Sequence, residues 1–262
     1  MIQPFVSAPE QVDVIIPAHG ALPLVLACLG ALERWSVTLV DDASPEEAKF
    51  KVLPRRFPHL QYLRQEVNQG FIAACRLGAQ QTNKPYVLFL NSDVLPNDRA
   101  IEALYTHLAF KGGAIAGCRL LFPGTHGLRV IQHAGVARNS QGVPYHPFMR
   151  LIEQTPHAQR DLAVNAVTGA ALMIRREVWE NLWGFDAIYG PGVYEDVDLC
   201  WRCRHAEGKV WYVGSEAMEH HMHGSQAQGN NWFGANAQRN LQQLMMRFGN
   251  QGSDEDLFYG GL

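Results

Sequence analysis

Residues 86–93 read YVLFLNSD, an apolar run from Tyr86 to Leu90 followed by Asn91, Ser92 and Asp93. A short, unbroken apolar run is typical of a strand that is buried on both faces, as in a parallel sheet. We therefore predict a buried strand at 86–90 with polar side chains at its carboxyl end.

Alternating strand and helix patterns extend from this strand in both directions. Further strands are predicted at 12–16, 37–40 and 60–63, and helices at 22–35, from Ser44, at 71–81 and at 97–110. Ser44 is typical of a helix N-cap, because a proline and two acids follow it. Four strand–helix units joined by short loops predict an α/β fold with a doubly wound, mostly parallel sheet flanked by helices.

The second half of the chain is less regular. Strands are predicted at 115–118, 129–136, 163–175 and 210–213, helices at 194–206 and 235–248, and a histidine-rich loop at 216–225. No internal repeat or linker interrupts the sequence, so we predict a single domain, 1–262. Its expected parts are a regular nucleotide-type half (11–118), an irregular half (119–225) and a C-terminal helix with a loose tail (226–262).

The composition of the chain argues against several classes of protein. The 262 residues are 47% hydrophobic, which allows a sizeable core, and the net charge of −3 offers no basic excess for a nucleic-acid partner. The longest apolar stretch, 21–32, is shorter than the ~20 residues that a membrane span needs. The first residues lack the pattern of a secretory signal, and five scattered cysteines do not form a disulfide framework. These features predict a cytoplasmic protein.

Polar residues follow three of the predicted strands, at the edge where open α/β sheets bind ligands. They are Pro17-Ala18-His19, Asp41-Asp42 and Asn91-Ser92-Asp93. Neither the GxGxxG dinucleotide fingerprint nor a GxxxxGK[ST] phosphate loop is present in the sequence, so a divalent cation held by carboxylate and imidazole could neutralise a diphosphate instead. Asp93 is the leading ligand, with a turn or helix cap as its alternative role. A turn role also stays open for one of Asp41 and Asp42.

Two later segments carry further ionisable side chains. Glu195, Asp196 and Asp198 stand at the start of a predicted helix. Their charge would complement the helix dipole there, or one of them would act as a general base. His220 and His221 lie close to the end of the chain, and one of them could join Asp93 on a hard cation.

Six motifs follow one another over residues 11–225. They are VDVIIPAHG (12–20), TLVDDAS (38–44), EVNQGFIAACRLGA (66–79), VLFLNSDVLP (87–96), VTGAALMIRREVWENLWGFD (167–186) and YEDVDLCWRCRHAEGKVWYV (194–213). This succession resembles the family-2 inverting glycosyltransferases with the GT-A fold, especially the rhamnosyl- and galactofuranosyl-transferase-like branch. The resemblance implies that 11–118 bind a nucleotide sugar and that 119–225 form the acceptor and catalytic half.

The resemblance also implies roles for individual residues. Those expected at the donor are Pro17, Ala18, His19, Asp41, Asp42, Asn68, Gly70, Asn91, Ser92 and Gly169. Arg76 replaces the usual asparagine of its motif and would contact either the diphosphate or solvent. Asp93, together with His220 or His221, would hold Mg²⁺ or Mn²⁺. Asp196, beside Glu195, would be the catalytic base.

The implied activity is the inverting, metal-dependent transfer of a hexose or deoxyhexose from a UDP-, dTDP- or GDP-linked donor. The acceptor would be a saccharide or a lipid-linked molecule in cell-surface glycan synthesis. Two other classes stay open: a catalytically degenerate GT-A-fold binding or scaffold subunit, and a nucleotidyltransferase, although PAHGALPL (17–24) lacks the basic residues that the latter needs. The helix at 241–248 could pack on its own domain, on a partner subunit or on the inner face of a membrane.

Overall fold

A mixed ten-stranded sheet forms the centre of the fold in the computed structural model, which describes residues 7–124, 128–222, 232–250 and 252–259. In chain order the strands are β1 (Val12–Ala18), β2 (Ser36–Asp42), β3 (Leu60–Gln65), β4 (Tyr86–Leu90), β5 (Val94–Leu95), β6 (Ile115–Leu121), β7 (Ile131–His133), β8 (Ala137–Arg138), β9 (Pro144–Tyr145), β10 (Asp161–Val164), β11 (Ala171–Arg175) and β12 (Val210–His220). Strands β8 and β9 pair separately from the others.

The order along the sheet is β10-β12-β6-β11-β4-β1-β2-β3, with β5 paired to β12 and β7 to β6. Strands β3, β2, β1 and β4 are parallel. Strand β11 runs antiparallel between β4 and β6, and β12 lies parallel to β6. The predicted α/β class with a mostly parallel sheet is therefore confirmed, and each antiparallel pair among the described strands includes at least one strand of the second half.

Helices cover both faces of the sheet. They are α1 (Ala8–Gln11), α2 (Leu22–Gly30), α3 (Glu47–Lys51), α4 (Leu53–Arg56), α5 (Phe71–Gln80), α6 (Asp98–Phe110), α7 (Arg176–Asn181), α8 (Glu195–His205), α9 (Trp232–Phe248) and α10 (Asp256–Tyr259), with 3₁₀ turns at Pro156–Gln159 and Ala187–Tyr189. Successive residues of a strand point to opposite faces. Ile15 accordingly packs in one core with Ile72 of α5, and Ile16 in the other with Leu29 of α2.

The carboxyl ends of the parallel strands meet at one edge of the sheet. In the register, Ala18 of β1 lies beside Asp41 of β2. On the far side, the end of β12 pairs with the short β5, so that His220 lies opposite Val94. Asp93, the residue before β5, is thereby brought to the end of β12.

Three predictions for the second half are corrected by the structure. The strand predicted over 163–175 is two strands, β10 and β11, separated by a turn at 165–170, and the strand predicted over 129–136 is only β7. The loop predicted over 216–225 begins as a strand, because β12 continues past a bulge between Val213 and Ala217 and pairs with β6 as far as Glu219. Residues 223–225 of that loop lie outside the described residues.

The described tail is packed, not loose. Phe258 is fully buried in the core and stacks edge-on against Phe148, and the buried Asp254 forms an ion pair with Arg138. Helix α9 packs on its own domain through Leu244 and Phe248, the first alternative left open by the sequence. None of the described helices is long and apolar enough to cross a membrane.

Candidate functional site

The residues that end β1 and β2 form one side of the site. Pro17 and Ala18 are buried in β1, where they pair with Val40 and Asp41. The ring of His19 lies in the next turn, with Nδ1 at 2.7 Å from the backbone oxygen of Asp42. The predicted donor residues at these two strand ends are therefore neighbours.

Asp41 has a turn role. Its buried carboxylate accepts hydrogen bonds from the Ser44 amide at 2.8 Å and the Tyr62 hydroxyl at 2.6 Å, and it forms an ion pair with Arg64. Burial raises the pKa of Asp41, but the donors from Ser44, Tyr62 and Arg64 outweigh it, so that the net pKa is lowered. The carboxylate is thus ionised and held by the protein itself.

Asp42 organises the loop that precedes α5. Its carboxylate accepts the amides of Gln69 at 2.7 Å and Gly70 at 2.8 Å, and the side-chain amide of Gln65 at 2.8 Å. Asn68 also accepts the Gly70 amide, at 3.1 Å. Gly70 has φ +85°, and a Cβ there would lie 2.9 Å from the Cβ of Pro191, so that only glycine fits.

Asp93 and His220 meet at the end of the sheet. The Nε2 atom of His220 lies 3.1 Å from Oδ1 of the buried Asp93, and its Nδ1 atom lies 2.6 Å from Oε1 of Gln132. The amide of Gln132 is oriented by a second bond, from its Nε2 to the His220 backbone oxygen. His220 Nδ1 therefore donates to Gln132, and Nε2 is directed at the carboxylate.

This arrangement fits a divalent cation. An imidazole whose Nδ1–H is held by a carbonyl presents Nε2 as a ligand, and a carboxylate beside it suits Mg²⁺ or Mn²⁺. The ring of His221 instead faces Glu219, at 3.0 Å, while its backbone amide donates to the Asp93 carbonyl. In the described part of the chain no three His, Cys, Asp or Glu residues cluster as a complete metal site. Asp93 and His220 would thus supply two of the ligands of such a cation.

Glu195 and Asp196, which we call the catalytic pair, begin α8. Asp196 is partly exposed, and its carboxylate accepts the Gly169 amide at 2.7 Å and the Val197 amide at 2.8 Å. Glu195 is buried, and its Oε2 atom has no hydrogen-bond partner among the residues that the structure describes. Burial first, and the charge of Asp196 second, raise the pKa of Glu195 to about 8, and burial also raises the pKa of Asp196. Glu195 therefore holds a proton at neutral pH, and Asp196, with two N–H donors, carries the charge.

The raised pKa of Glu195 predicts a pH-dependent stability. Below the unfolded pKa of 4.5 the residue is protonated in both states. As the pH rises from 4.5 towards 8 stability is lost, because the carboxyl group ionises freely in the unfolded chain while the folded state must retain the proton. Glu195→Gln lacks this charge. We expect its melting temperature to exceed that of the wild type by a margin that grows from pH 5 to pH 8. At pH 8 this margin should be at least about 2–4 °C, which is the shift that 1 kcal/mol causes in a chain of this size.

Thermal unfolding followed by circular dichroism at several pH values measures this difference. Glu33→Gln, at an exposed position, is the matched control and is expected to follow the wild type throughout. A constant difference between Glu195→Gln and the wild type across the range would contradict the assignment of the proton to Glu195.

The catalytic pair and the Asp93–His220 pair are connected through two adjacent loops, 91–93 and 165–170. Leu90 of β4 pairs with Ala171 of β11, and the amide of Asn91 donates to the Ala170 oxygen at 2.9 Å. The segment after β4, which carries Ser92 and Asp93, is thus joined to the loop whose Gly169 amide holds Asp196. The carboxylates of Asp93 and Asp196 therefore lie at one edge of the sheet, each in a different environment.

Arg76 lies elsewhere. It lines a cavity of about 660 Å³ together with Trp183, Arg202 and Phe248. None of the other residues predicted for the donor, the metal or the catalytic base contributes to the described lining of this cavity. The structure therefore does not bring Arg76 together with them.

Sequence reasoning missed His146 and Gln132. His146 is close enough to Asp196 for each to alter the pKa of the other, although burial keeps the net pKa of His146 lowered. Its Nδ1 atom lies 3.0 Å from Nδ1 of His133, and the Nε2 atom of His133 faces the amides of Gly135 and Thr168. His133 therefore accepts on Nε2, donates to His146 and supports the loop beside Gly169. The sequence IQHAG (131–135) holds both Gln132 and His133 but carries no signal for these partners.

A protein-family model described as glycosyl transferase family 2 matches residues 13–183, which is more than half of the chain. The chain is 31% identical over 190 residues to the O-antigen biosynthesis protein RfbC of Myxococcus xanthus, covering 67% of this chain and 14% of that protein. It is 25% identical over 215 residues to the pre-mycofactocin glycosyltransferase of Mycobacterium tuberculosis, covering 80% of this chain and 43% of that protein. The chain thus spans less than half the length of these relatives.

Two solved structures share the fold. GalNAc-T7 with UDP, GalNAc and Mn²⁺ superposes with a TM-score of 0.70 at 15% identity, over 89% of this chain and 48% of that one. The mannosyltransferase PcManGT from Pyrobaculum calidifontis, in complex with GDP-Man and Mn²⁺, gives a TM-score of 0.63 at 15% identity, over 94% and 67%. With the family match and the sheet described above, the chain belongs to glycosyl transferase family 2 and has the GT-A fold.

Proposed function

We propose that the chain transfers a sugar from a nucleotide-sugar donor to an acceptor hydroxyl with inversion at the anomeric carbon. The observation that carries the proposal is the pairing of Asp93 with His220 in the loop next to Gly169, whose amide holds Asp196. The Asp93–His220 pair suits a cation and a diphosphate, and the Glu195–Asp196 pair suits a general base. Both pairs lie at one sheet edge, which supports a single site for the two functions.

The residues of the chain divide the chemistry between them. Asp196, ionised and oriented by the Gly169 amide, accepts the proton of the acceptor hydroxyl as it attacks. Glu195, which holds its own proton, adds no second negative charge beside the base. A divalent cation bound by Asp93 and His220 would stabilise the negative charge on the departing nucleoside diphosphate. The inversion follows from direct displacement, without a covalent intermediate.

The donor is expected to be a UDP-, dTDP- or GDP-linked hexose or deoxyhexose. The likeness to GalNAc-T7 with UDP and to PcManGT with GDP-Man supports this class of ligand, and both of those structures contain Mn²⁺. The similarity to an O-antigen biosynthesis protein supports a saccharide or lipid-linked acceptor in glycan synthesis. The rhamnosyl- and galactofuranosyl-transferase-like branch stays a prediction.

A nucleotide panel tests the donor site. Calorimetric titration of the protein with UDP, dTDP, GDP and CDP, each with and without Mn²⁺, is expected to show tighter binding of one nucleotide in the presence of Mn²⁺. Turnover is then measured as the hydrolysis of UDP-glucose, dTDP-rhamnose and GDP-mannose. The released nucleoside diphosphate is the quantity monitored. Binding of a nucleotide without any turnover, even with glycan acceptors, would favour the degenerate scaffold subunit. The absence of binding by all four nucleotides would overturn the proposed donor site.

A further inference from the structure

The segment that precedes the catalytic pair has an unusual backbone. We call residues 189–194 the pre-catalytic loop. Val193 and Tyr194, its last two residues, have φ values of +77° and +73°, and Glu195 begins α8 directly after them. Side chains with a Cβ disfavour this left-handed region, and for a β-branched residue such as valine it is rare. The conformation therefore depends on contacts from outside the loop.

Helix α9 supplies these contacts through one fully buried side chain, Asn240. Its Nδ2 atom donates to the backbone oxygens of Tyr189 at 2.8 Å, Gly192 at 2.8 Å and Val193 at 2.9 Å. Its neighbour Arg239 donates to the oxygen of Gly190. Three carbonyls of one loop thus converge on a single amide nitrogen and share its two hydrogens. An apolar side chain could not replace Asn240, because it has no N–H group to donate to these carbonyls.

The pre-catalytic loop contacts the donor side as well. The Cβ and backbone oxygen of Pro191 lie against Gly70, in the loop that Asp42 organises. A displacement of the pre-catalytic loop would move Glu195 and Asp196, which follow it in the chain. Gly70 would keep its own bond to Asp42.

We infer that Asn240 is a positioning residue, which fixes the pre-catalytic loop from α9 and thereby sets the place of Asp196 in the site. This inference rests on the proposed role of Asp196 as the base. The described hydrogen bonds of Asn240 involve neither the predicted cation ligands nor the predicted donor residues. Its expected influence is on turnover and not on nucleotide binding.

Two replacements separate the amide from the volume of the side chain. Asn240→Leu has a similar volume and no donors, whereas Asn240→Gln keeps both N–H donors on a longer chain. We expect Asn240→Leu to lower kcat for diphosphate release from the nucleotide sugar identified in the panel by about 10²-fold, the effect of a displacement near 1 Å. KM and the affinity for the nucleotide are expected to stay unchanged, and Asn240→Gln to recover part of kcat. Gln242→Leu, at an exposed position of α9, is the control.

Hydrogen exchange of the same variants distinguishes positioning from general stability. Faster exchange confined to residues 189–198 in Asn240→Leu supports the inference, whereas faster exchange across the whole sheet overturns it. A kcat equal to that of the wild type also overturns it. If Asn240→Leu does not fold, Asn240→Ser serves in the same measurements. Full activity of Asp196→Asn would instead show that the proposed base is wrong, independently of Asn240.

Discussion

Replacement of Asp196 by asparagine is expected to abolish most turnover while leaving nucleotide binding intact. The asparagine oxygen can still accept the Gly169 amide, so that the start of α8 keeps its place. The side chain can no longer take a proton from the acceptor, and the loss of a general base lowers rates by about 10²–10⁴-fold. The measurement is kcat for diphosphate release together with a calorimetric titration of the same preparation.

The neighbouring carboxyl group provides the decisive comparison. Glu195 is protonated in the folded protein, so Glu195→Gln resembles its native state, and we expect it to lose less activity than Asp196→Asn. Glu33→Gln controls for the loss of an acidic side chain at a remote, exposed position. A larger loss from Glu195→Gln than from Asp196→Asn would exchange the roles of the two residues.

Replacement of Asp93 by alanine is expected to remove the effect of Mn²⁺ on nucleotide binding. In the proposed two-residue site Asp93 supplies the carboxylate and His220 the imidazole, and the nucleotide would be held there through the cation. Even residues that only orient a metal ligand change affinity by 10–100-fold, so the loss of a ligand should weaken binding in Mn²⁺ by more than about tenfold. Binding without Mn²⁺ should be unchanged.

The two adjacent histidines give a matched pair for this measurement. His220→Ala should behave as Asp93→Ala, whereas His221→Ala should retain the Mn²⁺ effect, because the His221 ring faces Glu219. Gln132→Ala, which removes the acceptor of the His220 Nδ1–H, is expected to cause an intermediate loss. If His221→Ala, and not His220→Ala, removed the Mn²⁺ effect, the assignment of the ligand would be wrong.

The first half of the fold could be predicted from local pattern. Strands β1 and β4 are buried along continuous apolar runs, and their polar residues mark the carboxyl edge, so that Asp93 stands where its position after the run at 86–90 indicates. The second half could not be predicted in this way. The insertion of β11 between β4 and β6 depends on pairing between distant segments, and so does the extension of β12 past its bulge. Neither feature produces a periodic hydrophobic pattern in the sequence.

The same distinction applies to the site. Residues of the strand ends are recognisable, since a parallel sheet brings them to one edge. That the ring of His220, and not that of His221, meets Asp93 depends on the pairing of β12 with β5, which the sequence does not encode locally. Asn240 is recognised only in the structure, because its partners are backbone carbonyls of a loop about 50 residues earlier in the chain.

The buried position of Phe258 has a consequence for the synthesis of the protein. The four parallel strands and their helices are complete at residue 110, but the C-terminal Phe258 and Tyr259 pack against Phe148, and Phe258 also packs against Gly135. At 5–20 residues per second, a ribosome needs roughly 5–20 s to make the 110 residues from Phe148 to Phe258. Throughout that interval the nascent chain exposes apolar surface that the finished protein conceals, which makes this half of the domain the expected client of chaperones during translation.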